Sequence, residues 1–229
     1  PPYALRLPAQ FPRRVNGRMR HLATLCALLG LLISCGGDAT DSSATSRAMT
    51  VSLSGSPSAK IWRGQCSACH GAAGEGNRAF GAPALTQLST DYLARQLRHF
   101  VGGVRGAHPD DDAGKRMALS VANLNEADIP GLAVLITTEL PPAQPATTIT
   151  GNAARGEDYY VNICSACHSG HGQGNDALGT PALAGLNDWY LKSSYQSYLD
   201  GIRGTHPDDF YGAQICLLYT SPSPRDNTG

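Results

Sequence analysis

Residues 61–117 align with residues 159–215 without a gap, and 24 of the 57 positions are identical. Such a match repeats one small folding unit, so the chain must build two copies of one domain rather than a single large core. PPAQPATTIT, residues 141–150, lies between the copies and reads as a Pro/Thr linker. Each copy opens on CSACH, as Cys66 to His70 and again as Cys164 to His168. C-x-x-C-H is the attachment pattern of c-type haem. Two thiols three positions apart on one helical turn can add to the two vinyl groups of one porphyrin. The adjacent imidazole then reaches the iron. The pattern therefore predicts two covalently bound haem c groups. Cys66 and Cys69 hold one and Cys164 and Cys167 the other, with His70 and His168 as iron ligands.

A bare C-x-x-C also serves zinc knuckles and dithiol redox sites. Zinc needs four ligands, which here means both Cys pairs joined across the duplication. The flanking His in both copies favours haem. The cysteine count agrees: of seven, four lie in the motifs, Cys26 lies in the apolar run near the N-terminus, Cys35 follows that run and Cys216 lies near the C-terminus. That leaves none for a structural disulfide.

Met19-Arg20-His21 and the apolar run 22–33 have the form of an export signal, the run being too short to span a bilayer. It ends in LISC followed by two glycines, which resembles a bacterial lipoprotein box with Cys35 as the lipidated residue; an ordinary signal peptide with a chance Cys is the alternative. Residues 1–18 read as untranslated upstream sequence, 19–34 as signal and 35–56, rich in Ser, Thr, Ala and Gly, as a flexible tether. Acyl chains on Cys35 would anchor the chain on the periplasmic side of a bacterial membrane. Residues 35–215 carry 12 Lys and Arg against 17 Asp and Glu, a net −5 that argues against a nucleic-acid partner.

The residues around the motifs resemble the tandem di-haem class I cytochromes c of the c-four type. The carriers are CSACHGAAGEGN, GAPAL and DYLARQLRHFVGGVRG in the first copy. In the second they are CSACHSGHGQGN, GTPAL and WYLKSSYQSYLDGIRG. The resemblance implies an all-α protein of two class I cytochrome c domains, 57–140 and 151–215, the second truncated. It implies single-electron transport between respiratory partners, such as a quinol-side donor and a terminal oxidase or dehydrogenase.

Helices are expected at 58–69 and 156–167, delivering the haem cysteines. Ser89 or Thr90 caps a further helix with an apolar stripe of Tyr92, Leu93, Leu97, Phe100 and Val101. Trp189, Tyr190, Leu191, Tyr198 and Leu199 cover the same ground in the second copy. A last helix over about 126–139 follows Asn125, with Asp128 as capping partner and Pro130 and Gly131 awkwardly placed.

A class I cytochrome takes a second axial ligand from a Met before its last helix. Of the three Met, at 19, 49 and 117, only Met117 stands there. Its counterpart is Ile215. His206 is an alternative ligand, but His108 matches it beside Met117, so His-Pro-Asp-Asp reads as a turn in both copies and Asp110 to Asp112 as a solvated loop. Arg105 and Arg203 read either as propionate partners or as surface charges. CLLYTSPSPRD, residues 216–226, resembles the translation of a transposase sequencing adaptor. An adaptor joined inside codon 215 turns ATG into ATC, so the expectation is a natural protein with Met there and a closing helix beyond. The reading is an electron carrier. The alternatives are a di-haem peroxidase-like enzyme, which Ile215 mimics by leaving one iron open, and the subunit through which electrons enter a dehydrogenase or oxidase.

Overall fold

The computed structural model describes residues 55–220, with side chains through 216, and all of them fall in one compact unit. Cys35, the export signal, most of the tether and residues 221–229 lie outside the described residues. Among those described, every regular element is helical. The only β features are isolated bridges, Asn77 to Ala82 and Asn175 to Thr180.

Helix α1 runs Pro57–Ile61, widens into a π turn over Trp62–Cys66 and closes in Ser67–His70. Its counterpart α5 does the same over Ala153–Tyr159, Tyr160–Cys164 and Ser165–His168. In both copies the Ser after the first haem Cys bonds back to a carbonyl four residues earlier, 3.1 Å for Ser67 to Arg63 and 2.7 Å for Ser165 to Val161. Back-bonding of this kind bends helices, and here it accompanies the π turn.

Helix α2, Thr90–Val101, starts at Ser89, whose hydroxyl accepts from the Tyr92 N–H at 3.3 Å. Helix α3, Asp112–Val121, carries Met117. After a short 3₁₀ turn, Glu126–Asp128, helix α4 covers Ile129–Val134 and continues as a π turn over Leu135–Glu139. The start of α4 at Ile129 puts Pro130 in its first turn, where a missing N–H costs nothing. Ile129, Leu132, Leu135 and Ile136 of this segment join Leu93, Leu97 and Phe100 of α2 in the core, with Trp62 of α1. Val101 departs from the expected stripe and is 39% exposed.

The second copy has α6, Asp188–Leu199, and α7, Phe210–Thr220. No described segment covers α6 as α4 covers α2. Consequently none of the second copy's expected stripe is fully buried, and Leu199 is 46% exposed. The acidic run is not merely solvated loop. The Asp111 carboxylate accepts from the Gly114 N–H at 2.8 Å and caps α3, and Asp209 does the same for Gly212 at 3.0 Å. A carboxylate at a helix start satisfies an orphan N–H and the helix dipole together.

Candidate haem sites

In the first copy Cys66, Cys69 and His70, on the last turns of α1, and Met117, on α3, line one cavity of about 480 Å³. Trp62, Leu97 and Phe100 form part of its apolar wall. His70 is buried, and its Nδ1 lies 2.8 Å from the Pro83 carbonyl oxygen. A carbonyl only accepts, so Nδ1 carries the proton and Nε2 keeps its lone pair for a metal. Burial lowers the His70 pKa, against the opposing pull of the Pro83 bond, so the ring is held neutral. The Trp62 indole N–H donates to the Ala72 carbonyl at 3.2 Å and pins the loop that follows the histidine.

The second copy repeats this frame. The His168 Nδ1 lies 2.8 Å from the Pro181 oxygen, and the Tyr160 hydroxyl donates to the Ser169 carbonyl at 2.5 Å. Ile215 of α7 stands in the register of Met117. The His206 Nδ1 accepts from the Asp208 N–H at 3.1 Å, as the His108 Nδ1 accepts from Asp110 at 3.2 Å. Both rings are spent on the turn. Among the described residues no cluster of His, Cys, Asp and Glu converges as a metal site, so the two Cys pairs are not joined across the duplication.

The cavity of the first copy runs on to Tyr190, Ser194 and Arg203 of the second. Here Tyr92 and Arg105 meet Tyr190 and Arg203. The Arg203 guanidinium interacts electrostatically with Tyr92 and Tyr190, and Arg105 with Tyr190. The partner within each guanidinium's own repeat corresponds: Arg105 Nη1 donates to Gln96 of α2 at 2.6 Å, and Arg203 Nη1 donates to Ser194 of α6. Each guanidinium also lies over its own repeat's ring, Arg105 at 4.3 Å from Phe100 and Arg203 at 4.5 Å from Tyr198. Burial works to raise the Tyr190 phenol, but Arg203 and then Arg105 outweigh it and bring it down to about 8. At Tyr198 burial wins and pushes the phenol up to about 12. The Nε atoms of Arg105 and Arg203 are buried with no hydrogen-bond acceptor. Neither arginine is the surface charge that the sequence left open. The tyrosines of this cluster were missed as polar partners, although Tyr92 and Tyr190, like Arg105 and Arg203, are identical between the copies.

These residues fit a haem: paired thiols, a buried neutral imidazole, an apolar wall, a thioether lining the same cavity, and guanidinium nitrogens without an acceptor, which two propionates per haem would supply. The frame defines a covalent haem protein with a site in each repeat. Residues 57–138 and 153–214 each match the cytochrome c family model, and the chain belongs to that family. Its two domains each carry a covalently bound haem c. It is 36% identical over 151 residues to the thiosulfate dehydrogenase electron acceptor of Thiomonas intermedia (strain K12), covering 62% of this chain and 66% of that protein. It is 26% identical over 154 residues to cytochrome c4 of Azotobacter vinelandii, covering 63% and 72%. The fold is similar to that of reduced recombinant cytochrome c4 from Pseudomonas stutzeri, with a TM-score of 0.57 and 22% identity over 75% of this chain and 93% of that one. The chain thus spans about two thirds of the first of these relatives.

Proposed function

We propose that the protein is a di-haem electron carrier, exported and anchored through Cys35 on the periplasmic side of a bacterial membrane. The observation that carries the reading is the same imidazole-to-carbonyl bond, 2.8 Å long, beside a Cys pair in both copies, with one Arg/Tyr cluster between them. Bound haem supplies an iron that gains and loses one electron at a time. His70 and His168 would hold the irons through Nε2, and Met117, on α3, would be the further ligand of the first site. Trp62 and Phe100 keep water away from the first site. Arg105 and Arg203, whose Nε atoms lack an acceptor, would pair with the propionates. The likeness to an electron acceptor of a thiosulfate dehydrogenase supports a dehydrogenase as donor. A spectroelectrochemical titration tests the reading. Two reversible one-electron steps support it, and uptake of a single electron refutes it.

Ile215 favours a second reading, because no thioether comes from α7 to the second site. Turnover of hydrogen peroxide by the haem-loaded protein would support a peroxidase-like role. Its absence, with reversible titration intact, leaves the carrier.

A further inference from the structure

Tyr92, Arg95 and His99 stand at i, i+3 and i+7 on α2, which places them on one face of the helix. Their counterparts on α6 are Tyr190, Ser193 and Ser197, and all three line the cavity of the first haem site. The second copy therefore supplies part of the wall of the first site. The reverse contact is made by Arg95. Its Nη2 donates to the Gly179 carbonyl at 2.5 Å, and its guanidinium lies over the Tyr211 ring, 4.2 Å from the centroid. Gly179 and Tyr211 correspond to Gly81 and Ala113, both of which line the first cavity. Arg95 of the first copy thus borders the second site, as Ser193 of the second borders the first. It is not among the residues that line the first cavity, although its neighbour Gln96 is.

The two crossings differ in charge. Ser193 is neutral, whereas Arg95 carries a full positive charge at a half-buried position. Its Nε is buried without an acceptor, and it takes part in none of the ion pairs among the described residues. His99 adds no such charge. Burial is the main cause that lowers its pKa; Asp209, whose Oδ1 lies 3.8 Å from Nδ1, pulls the other way, and Arg105, Arg95 and His206 oppose Asp209. Asp209 corresponds to Asp111 and each caps a helix, so that carboxylate is common to both copies. Arg78 and Asp176 differ in sign at equivalent positions, but both are exposed, where water and salt screen them.

We propose that Arg95 is a residue of the second haem site contributed across the seam, and that its charge raises the potential of the haem held by Cys164, Cys167 and His168. Reduction adds one electron and lowers the charge of the site by one, so a fixed cation beside it favours the reduced form. In a partly buried setting this favours reduced over oxidised haem by about tenfold at a given potential, equivalent to about 59 mV for a one-electron couple. The first site receives only serines from its neighbour and gains nothing comparable. Because the cation is borrowed, the second site has its full potential only while the two copies are docked. The inference rests on the carrier reading.

The test is a spectroelectrochemical titration of the haem-loaded full chain. Met117→Ile and Ile215→Met, which alter one repeat each, assign the two steps to their sites. Arg95→Gln should make the second haem about tenfold harder to reduce and leave the first step in place. Arg95→Lys keeps the charge and should stay within about threefold of wild type, which a purely structural role would not allow. Ser193→Arg puts the same charge at the first site, at an exposed position, and should make the first haem easier to reduce. A second step that Arg95→Gln does not move would overturn the proposal, as would a Lys variant as low as the Gln variant or an equal shift of both steps. If Arg95→Gln fails to load both haems, Ser193→Arg decides alone, and a first step that stays in place overturns the proposal. Loss of the two reversible steps in the wild type sinks the carrier reading. Two intact steps that no charge change moves sink only the role of Arg95.

Discussion

Leu97 and Tyr195 occupy equivalent positions on α2 and α6, yet Leu97 is 6% exposed and Tyr195 is 39% exposed. Trp62 is buried at 3%, while its counterpart Tyr160 is half-buried. The difference has one source. Ile129, Leu132, Leu135 and Ile136 cover the first copy, and no described segment does this for the second. The local frame is indifferent to that loss. Both copies keep the π turn, the Asn-capped 3₁₀ turn and the histidine bond to a carbonyl oxygen at 2.8 Å. The loop after the histidine survives a less suitable residue as well. Gly71 has φ +83°, and Ser169 holds φ +67° in its place with its hydroxyl bonded to the Gly174 carbonyl at 2.7 Å. Haem presentation is therefore encoded within about 25 residues, whereas burial of the site depends on a helix distant in sequence.

The sharpest way to break the comparison is to exchange the residues at the end of each repeat. Met117→Ile should make the first site resemble the second and lower its potential by roughly 100 mV, within the span of about 0.8 V that axial ligands command. Ile215→Met should raise the second. Spectroelectrochemical titration of both variants checks this, and potentials that do not move would remove Met117 from the ligand set. Next in size is the core. Leu132→Ala should cost about 2–5 kcal/mol in denaturant unfolding, because Leu132 is 1% exposed and its cavity cannot collapse. Leu199→Ala, at a position 46% exposed, should cost within about 0.5 kcal/mol.

The seam between the copies is the next place to look. Asn187 stands where Ser89 caps α2, but its side chain caps nothing. Its Oδ1 accepts from the Ala84 N–H of the first copy at 2.6 Å, and its Nδ2 donates to the Glu75 carbonyl at 3.4 Å. Asn187→Ala strands a buried N–H and should cost about 1–3 kcal/mol, against about 1 kcal/mol for the loss of a helix cap in Ser89→Ala. Equal costs would mean that Asn187 contributes only locally.

Sequence reading reached what is local and periodic. The CSACH spacing, the gapless duplication, the Ser89 cap and the stripe of α2 needed only near neighbours. The departures from expectation depend on distant partners. Asp111 reads as part of a solvated loop and Asp209 as part of a turn, because neither helix start is marked in the sequence. Arg105 and Arg203 read equally as propionate partners or surface charges, because the sequence does not show that Tyr190 of the second copy meets Arg105 or that Tyr92 of the first meets Arg203. Asn187 has the residue type of an N-cap, and only the approach of the first copy redirects it. The residues 141–150 read as a plain linker, yet the Ala143 N–H is buried and donates to Thr86 at 2.7 Å.

The smallest expected effect lies where that linker meets α6. Thr90 of α2 bonds Thr137 of the covering segment at 2.8 Å. Its counterpart Asp188 meets no such segment among the described residues and holds the linker instead, accepting from the Thr148 hydroxyl at 2.7 Å and from the Ile149 N–H at 2.9 Å. The Thr148 hydroxyl bond is the main cause that holds the Asp188 carboxyl down, at about 2; slight burial opposes it, and the N–H groups of Ile149, Thr148 and Trp189 reinforce it. A carboxylate with a depressed folded pKa contributes stability that is complete above its ordinary value of about 4 and is lost as pH falls through about 2. Hydrogen exchange at Thr148 and Ile149, expressed relative to the intrinsic rate at each pH, should therefore stay slow down to about pH 4 and quicken towards pH 2. Asp188→Asn should quicken it at every pH and abolish the acid step. Thr90→Val, which breaks a bond between two groups that do not ionise, should loosen its own helix without creating such a step. An acid step that survives in Asp188→Asn would place the titrating group elsewhere on the linker.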